Sequence, residues 1–317
     1  MILNILLLVV GFVILIKGAD FFVDGASSTA RNFKVSKMLI GLTIIAFGTS
    51  APEFAISMQS LAKGSTDMLL GNVIGSNIMN ILLILGVAAV IHPIKIKENT
   101  IKRELPFCML ISTLLVVLFL DNKLTGGVVN QITRSDAIII LLFFSIFIYY
   151  LFNLAKQEKK KKENEKAKFK LGKSLLFVAI GLVGIILGSN MVVNNASSIA
   201  VKLGWSDRLI ALTIIAFGTS LPELVTTIVS SKKKEQELLL GNIVGSNIFN
   251  MCIVLGIPVA LYGTITPVSF NYIDLAVLVG SSFLLFIFSK TSRTITRFEG
   301  FFMLVSFFIY YILVFII

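Results

Sequence analysis

The stretch LTIIAFGTSAPE at residues 42–53 returns as LTIIAFGTSLPE at residues 212–223. Each copy sets Thr, Ser, Pro and an ionisable Glu inside an otherwise apolar segment. A second matched pair follows, GNVIGSNIMN at 71–80 and GNIVGSNIFN at 241–250, so that Glu53 corresponds to Glu223 and Asn80 to Asn250 at one offset of 170 residues. Outside the motifs Gly11 aligns with Gly181, Gly18 with Gly188 and Ala26 with Ala196, without gaps. One functional unit is written twice.

The rest of the chain sets these motifs in a membrane. Of its 317 residues 56% are hydrophobic and its mean hydropathy is +0.94, too apolar for a soluble globule. Runs long enough to cross a bilayer predict an all-α polytopic protein with ten transmembrane helices, at about 3–24, 38–62, 68–91, 105–121, 136–155, 174–195, 209–231, 238–262, 272–289 and 299–317. The first run lacks a basic n-region and aligns with the start of the second half, so it reads as a span and not as a signal peptide. Five spans per copy is odd, which brings the second copy in from the opposite face and makes the repeats inverted. The expected organisation is a first repeat at 1–155, a basic linker at 156–172 and a second repeat at 173–317. With that linker cytoplasmic, 22 Lys and Arg fall inside and 5 outside, which puts both termini outside. Lys17 falls within the first span, within i, i+3 reach of Asp20, and reads as a snorkelling lysine. The largest block of the net charge of +11 is the run from Lys156 to Lys173 between hydrophobic spans, so it reads as a cytoplasm-facing loop and not as a nucleic-acid surface. Cys108 and Cys252 lie in apolar runs without metal-type spacing and read as packing residues.

Pro52 and Pro222 interrupt their spans. Each lacks an N–H, so the carbonyls of Gly48 and Gly218 lose a helical partner and the helix kinks. Irregular backbone at membrane depth is tolerated only against protein or a polar cavity. Thr49 and Thr219 precede the glutamates by four residues, one helical turn, and Ser50 and Ser220 add hydroxyls. Ser76 with Asn80, and Ser246 with Asn250, repeat the four-residue spacing. Carboxylates, hydroxyls, amides and freed carbonyls make an oxygen-rich set of the kind hard cations take, Ca²⁺ above all, whereas softer metals call for His or Cys. The single histidine, His92, ends a span beside Pro93 and reads as interfacial. A lone Pro or Ser in a membrane helix is ordinarily a kink or packing residue. An intramembrane Glu is functional by default, and here it occurs twice in one context.

GTSAPE, GTSLPE and the two GN..GSN.. segments resemble the alpha repeats of the cation/calcium exchanger superfamily, in particular its sodium/calcium exchanger branch. The resemblance covers both halves. It implies a midplane cluster in which one Ca²⁺ site overlaps several Na⁺ sites, and an exchange of three Na⁺ for one Ca²⁺. Carried over by residue, it makes Glu53 and Glu223 the shared carboxylates and Thr49 and Thr219 adjoining Ca²⁺ ligands. Ser76 and Ser246, with the carbonyls of Ala46 and Ala216, fall at flanking Na⁺ sites, and Asn80 and Asn250 near the centre. It also implies that the first and sixth spans slide over the rest, with Gly11, Gly18, Gly181 and Gly188 permitting close contact. Some relatives have Asp in one repeat where this chain has Asn80 and Asn250, which leaves two formal negative charges in the cluster.

The nearest rival is Ca²⁺/H⁺ antiport, whose branch tends to add an acid after the GN. A cation channel would use the same oxygens, but broken helices in inverted repeats favour a carrier. An intramembrane enzyme lacks a histidine partner for its nucleophile. The expectation is therefore a non-enzymatic antiporter of the plasma membrane, with Ca²⁺ and Na⁺ as substrates, the bilayer as its surroundings, and neither cofactor nor obligate protein partner.

Overall fold

The computed structural model of the protein describes residues 1–124, 126, 129–159, 167–204, 216–266 and 272–316. Its helices are α1 (Ile2–Asn32), α2 (Lys37–Thr49), α3 (Ala51–Ala62), α4 (Thr66–Ile91), α5 (Glu98–Leu120), α6 (Arg134–Gln157), α7 (Leu171–Lys202), α8 (Ala216–Thr219), α9 (Leu221–Lys232), α10 (Gln236–Tyr262), α11 (Tyr272–Ser292) and α12 (Arg297–Val314). Among the described residues eight are long and apolar enough to cross a membrane. A ninth span is obtained by counting α2 and α3 as one broken helix, bent by 46°. The span expected at 209–231 begins in residues 205–215, outside the described residues, and continues as α8 and α9. The protein is an all-helical, multi-pass membrane protein. Besides its helices, the described residues form an antiparallel ladder of Ile94–Lys95 with Thr294–Ile295 and a single bridge between Ile132 and Ile265.

The bend lies where proline placed it. α2 ends at Thr49, Ser50 leaves the helical region at φ −85°, ψ 6°, and α3 starts again at Ala51 with Pro52 in its first turn. Ser220 repeats this at φ −90°, ψ 5° between α8 and α9. The four-residue spacings read from the sequence therefore do not lie on continuous α-helix. Thr49 and Glu53 stand on either side of a break, and a π-helical stretch at Met79–Leu85 shifts the register of Asn80. The other π stretches are Gly41–Ile45 and Asn250–Val254. Such wide turns concentrate at functional sites because they aim side chains off the helical repeat.

The chain forms two compact units that interleave along the sequence: Met1–Pro52 with Ala155–Asn242, and Glu53–Leu154 with Ile243–Ile317. In the first, α1 and α7 pack at backbone distance. A Cβ on Gly181 would lie 2.4 Å from the Phe22 nitrogen, one on Gly188 2.5 Å from the Leu15 nitrogen, and one on Gly18 2.7 Å from the Ile185 nitrogen. Small residues are what bring membrane helices together, because lipid supplies no hydrophobic drive between them. Asp20, within reach of Lys17 in the sequence, instead receives Lys233 at 3.3 Å, and Lys233 also pairs with Asp24 at 2.9 Å. The end of the basic linker docks on α1: Ser28 Oγ accepts from the Phe169 N–H and donates to its carbonyl, and Lys168 pairs with Asp24.

In the second unit Ser112 and Ser282, themselves 170 residues apart, share a 2.9 Å hydrogen bond. α6 and α12 open on the same box: Asp136 and Glu299 accept from the N–H and hydroxyl of Thr133 and Thr296 respectively. Tyr150 donates to Glu104 and Tyr310 to Asp274, tying neighbouring spans together. Among the eight described spans the motif helices α4 and α10 are the most enclosed, with 72% and 83% of the residues in an 18-residue apolar stretch buried, while α12 and α1 turn apolar side chains outward as lipid-facing helices do.

Gly181→Val is expected to cost about 3 kcal/mol, the upper end of overpacking, because the close atom is backbone and has no rotamer to yield. Gly280→Ala, where a Cβ meets nothing within 4 Å, should be neutral or slightly stabilising. Thermal unfolding of the two variants in detergent checks the contrast.

Candidate functional site

The first unit places one glutamate. Glu223, in the first turn of α9, is 1% exposed, and its Oε1 accepts from Ser50 Oγ at 3.1 Å. Thr49, fully buried, donates to Asn242 Oδ1 at 3.1 Å and also faces the Glu223 carboxylate. The carbonyl of Gly218, freed by Pro222, is taken by Ser189 Oγ of α7 at 3.1 Å. Ala46 accepts from the Ser50 N–H at 3.0 Å, which leaves its carbonyl a second lone pair. Thr219 is half-buried at the end of α8, the helix that Ala216 opens. The unit thus groups Thr49, Ser50, Glu223 and Asn242. Glu223 Oε2, Ser220 Oγ and Asn242 Nδ2 are buried and have no hydrogen-bond partner among the described residues.

The second unit places the other glutamate and the asparagines. Glu53 is fully buried, and its backbone carbonyl accepts from Asn72 Nδ2 at 3.0 Å. The same amide donates to Ser57 Oγ at 2.9 Å. Asn80 Nδ2 donates to Asn247 Oδ1 at 3.0 Å, and Asn247 Nδ2 to the Asn77 carbonyl at 3.4 Å. This relay commits the nitrogen of Asn80 to protein and leaves its Oδ1 unpaired among the described residues. Asn250, fully buried, leaves both amide atoms unpaired there. Ser76 and Ser246 are buried on the same helices as Asn80 and Asn250.

Buried oxygens of this kind can hold a desolvated cation. A buried carboxylate costs several kcal/mol unless matched by positive charge, and a buried unpaired amide or hydroxyl oxygen about 1–3 kcal/mol. Among the described residues no three His, Cys, Asp or Glu side chains gather as a metal-binding group, so the donors are mixed hydroxyl, amide and carboxylate oxygens. That chemistry suits Na⁺ or Ca²⁺ and is too poor in nitrogen and sulfur for a transition metal.

The model of the sodium/calcium exchanger protein family matches residues 3–153 and 173–316. The chain belongs to that family. A relative named sodium/calcium exchanger MaX1, from Methanosarcina acetivorans, is 32% identical over 94% of this chain and 94% of its own. Inner membrane protein YrbG of Escherichia coli is 34% identical over 86% of this chain and 84% of its own. A structure of the sodium-calcium exchanger NCX_Mj, soaked with 10 mM Na⁺ and zero Ca²⁺, superposes with a TM-score of 0.83 at 32% identity, covering 98% of this chain and 97% of that one.

The hydrogen bonds also bring in residues that the motif glutamates, hydroxyls and Asn80 and Asn250 did not announce. Asn72, Asn77, Asn242 and Asn247 stand in the quoted GN..GSN.. motifs, duplicated at the same offset, and that duplication was the signal. Ser57 and Ser189 carried no such signal, since only tertiary structure brings Asn72 to one and the Gly218 carbonyl to the other.

Adding Ca²⁺ to the purified protein is expected to raise its melting temperature, by linkage worth about 2.7 kcal/mol at a hundredfold excess over the dissociation constant. Glu223→Gln should remove most of that shift while folding normally in its absence. Thermal scans with and without cation check both.

Proposed function

We propose that the protein is a secondary active antiporter that exchanges Na⁺ for Ca²⁺ by alternating access. Support comes from membership of the family, from relatives named as sodium/calcium exchangers, and above all from Glu223: a buried carboxylate beside the hydroxyls of Ser50 and Thr49, with one oxygen unpaired among the described residues. In this reading Glu53 and Glu223 are the shared carboxylates, and Thr49, Thr219, Ser50, Ser220, Ser76, Ser246, Asn80 and Asn250, with the carbonyls of Ala46 and Ala216, complete the cation ligands. Ten spans in two inverted five-helix repeats, 1–155 and 173–317, carry them. Both termini lie outside and the 156–172 linker is cytoplasmic, in the plasma membrane. Cations are the substrates, and no covalent chemistry is involved.

Charge explains the coupling. Two glutamates are neutralised by one Ca²⁺, whereas three Na⁺ leave one net positive charge. An empty cluster, with two desolvated negative charges, is too costly to reorient, so each ion leaves only in exchange for the other. A three-for-one cycle moves one charge, worth roughly 2.3 kcal/mol per 100 mV.

Proteoliposomes loaded with Na⁺ are expected to take up radiolabelled Ca²⁺, faster when the interior is held positive, and Glu53→Gln or Glu223→Gln to abolish uptake. Uptake that follows a pH gradient without Na⁺ would replace this reading by Ca²⁺/H⁺ antiport.

A further inference from the structure

The two copies of the motif make different hydrogen bonds. In the first, Asn72 Nδ2 bridges the Glu53 carbonyl at 3.0 Å and Ser57 Oγ at 2.9 Å, clasping the second turn of α4 to the first two turns of α3. The corresponding residues 170 positions on are Asn242, Glu223 and Thr227, so the second copy holds the same donor, carbonyl and hydroxyl. There the clasp is open. Asn242 is 1% exposed and Thr227 fully buried, yet Asn242 Nδ2 and Thr227 Oγ1 both lack a hydrogen-bond partner among the described residues. Asn242 instead offers its Oδ1 to Thr49.

A donor and a hydroxyl left unpaired together, in the copy whose twin pairs them, are unlike ordinary packing residues. Some buried hydroxyls turn back to the carbonyl four residues earlier, as Thr29 does to Gly25 and Ser289 to Leu285, whereas Thr226, beside Thr227, has no hydrogen-bond partner among the described residues. Thr227 does not turn back either. It stands on the inward face of a helix whose polarity is reversed for a membrane: Glu223, Thr226, Thr227 and Ser230 fall within an arc of about 100° and are buried, while Leu224, Val225 and Ile228 are more exposed. The twin arc on α3, Glu53, Ser57 and Ser60, is buried likewise.

We infer that Asn72 with Ser57 and Asn242 with Thr227 are reciprocal clasps, one closed in each access state. The inference rests on the inverted-repeat antiport reading above. When the carrier switches, Asn242 Nδ2 closes on Thr227 Oγ1 and the Glu223 carbonyl, and Asn72 releases Ser57 and the Glu53 carbonyl. One clasp is made for each one broken, so the two states keep the same number of hydrogen bonds and stay near in energy, as an exchanger needs. Asn72 and Asn242 are positioning residues: each sets the first turn of the helix that carries a glutamate.

Thr227→Val keeps the shape and removes the hydroxyl, and Thr227→Ser keeps the hydroxyl. Na⁺-driven Ca²⁺ uptake by the full-length protein in proteoliposomes should fall about fivefold in T227V, the equivalent of one hydrogen bond, and stay within about twofold of wild type in T227S. Equilibrium Ca²⁺ affinity in detergent should change by less than about twofold, which separates switching from binding. Hydrogen–deuterium exchange of the folded protein supplies a readout independent of transport. Ser57→Ala should lower protection around Asn72 and raise it around Asn242, and T227V should do the reverse. Wild-type uptake by T227V, or shifts in the same direction in both variants, would overturn the clasps. Absence of Na⁺-driven uptake by the wild type would overturn the antiport reading and leave the exchange pattern to decide the clasps.

Discussion

A carboxylate from which water is excluded has to meet positive charge, and the surroundings of Glu223 depend on that constraint. Its helix starts beside it because Ser220 breaks the chain and Pro222 opens the next turn. Ser50 lies against it because the first copy of the motif is broken in the same way. Ser189 takes the Gly218 carbonyl released by the break, while Ser220 Oγ and Glu223 Oε2 have no partner among the described residues. In the proposed exchange these oxygens cost stability in the absence of cargo, and a bound cation would turn that cost into binding energy.

Rigid and adaptable parts are separately built. α1 and α7 meet backbone to backbone through glycines, a contact with few side chains to interlock, and ion pairs among Asp20, Asp24, Lys168 and Lys233 hold the ends of the same unit. The second unit is pinned differently, by threonine-carboxylate boxes, tyrosine-carboxylate bonds and the serine pair at positions 112 and 282. The motif asparagines occur in both units, and the relay through Asn247 occupies the Asn80 nitrogen, leaving its oxygen unpaired among the described residues.

Much of this was legible in the sequence, because its signals are local. Proline forces the break at Ser50 and Ser220, apolar runs give the spans, and a duplicated Glu in apolar surroundings has few structural explanations. What stayed hidden depends on tertiary structure or on state. The π turns at Met79 and Asn250 leave no mark in the hydrophobic pattern, so the spacing of Ser76 to Asn80 suggested a shared helical face that the wide turn alters. The docking of Phe169 on Ser28 lies in a stretch that reads as solvated linker. Asn72 and Asn242 sit in nearly identical motifs and differ only in which partner each holds. No reading of the motif alone distinguishes them.

The proposed exchange requires Na⁺ and Ca²⁺ to use the same oxygens. Equilibrium binding of radiolabelled Ca²⁺ to the purified protein, measured while Na⁺ is raised, tests it most directly. Competition at one site predicts that Na⁺ weakens apparent Ca²⁺ affinity steeply, with more than one Na⁺ displacing each Ca²⁺, and leaves the Ca²⁺ capacity unchanged. Ca²⁺ binding indifferent to Na⁺, or a capacity that falls at constant affinity, would mean separate sites and would contradict the account.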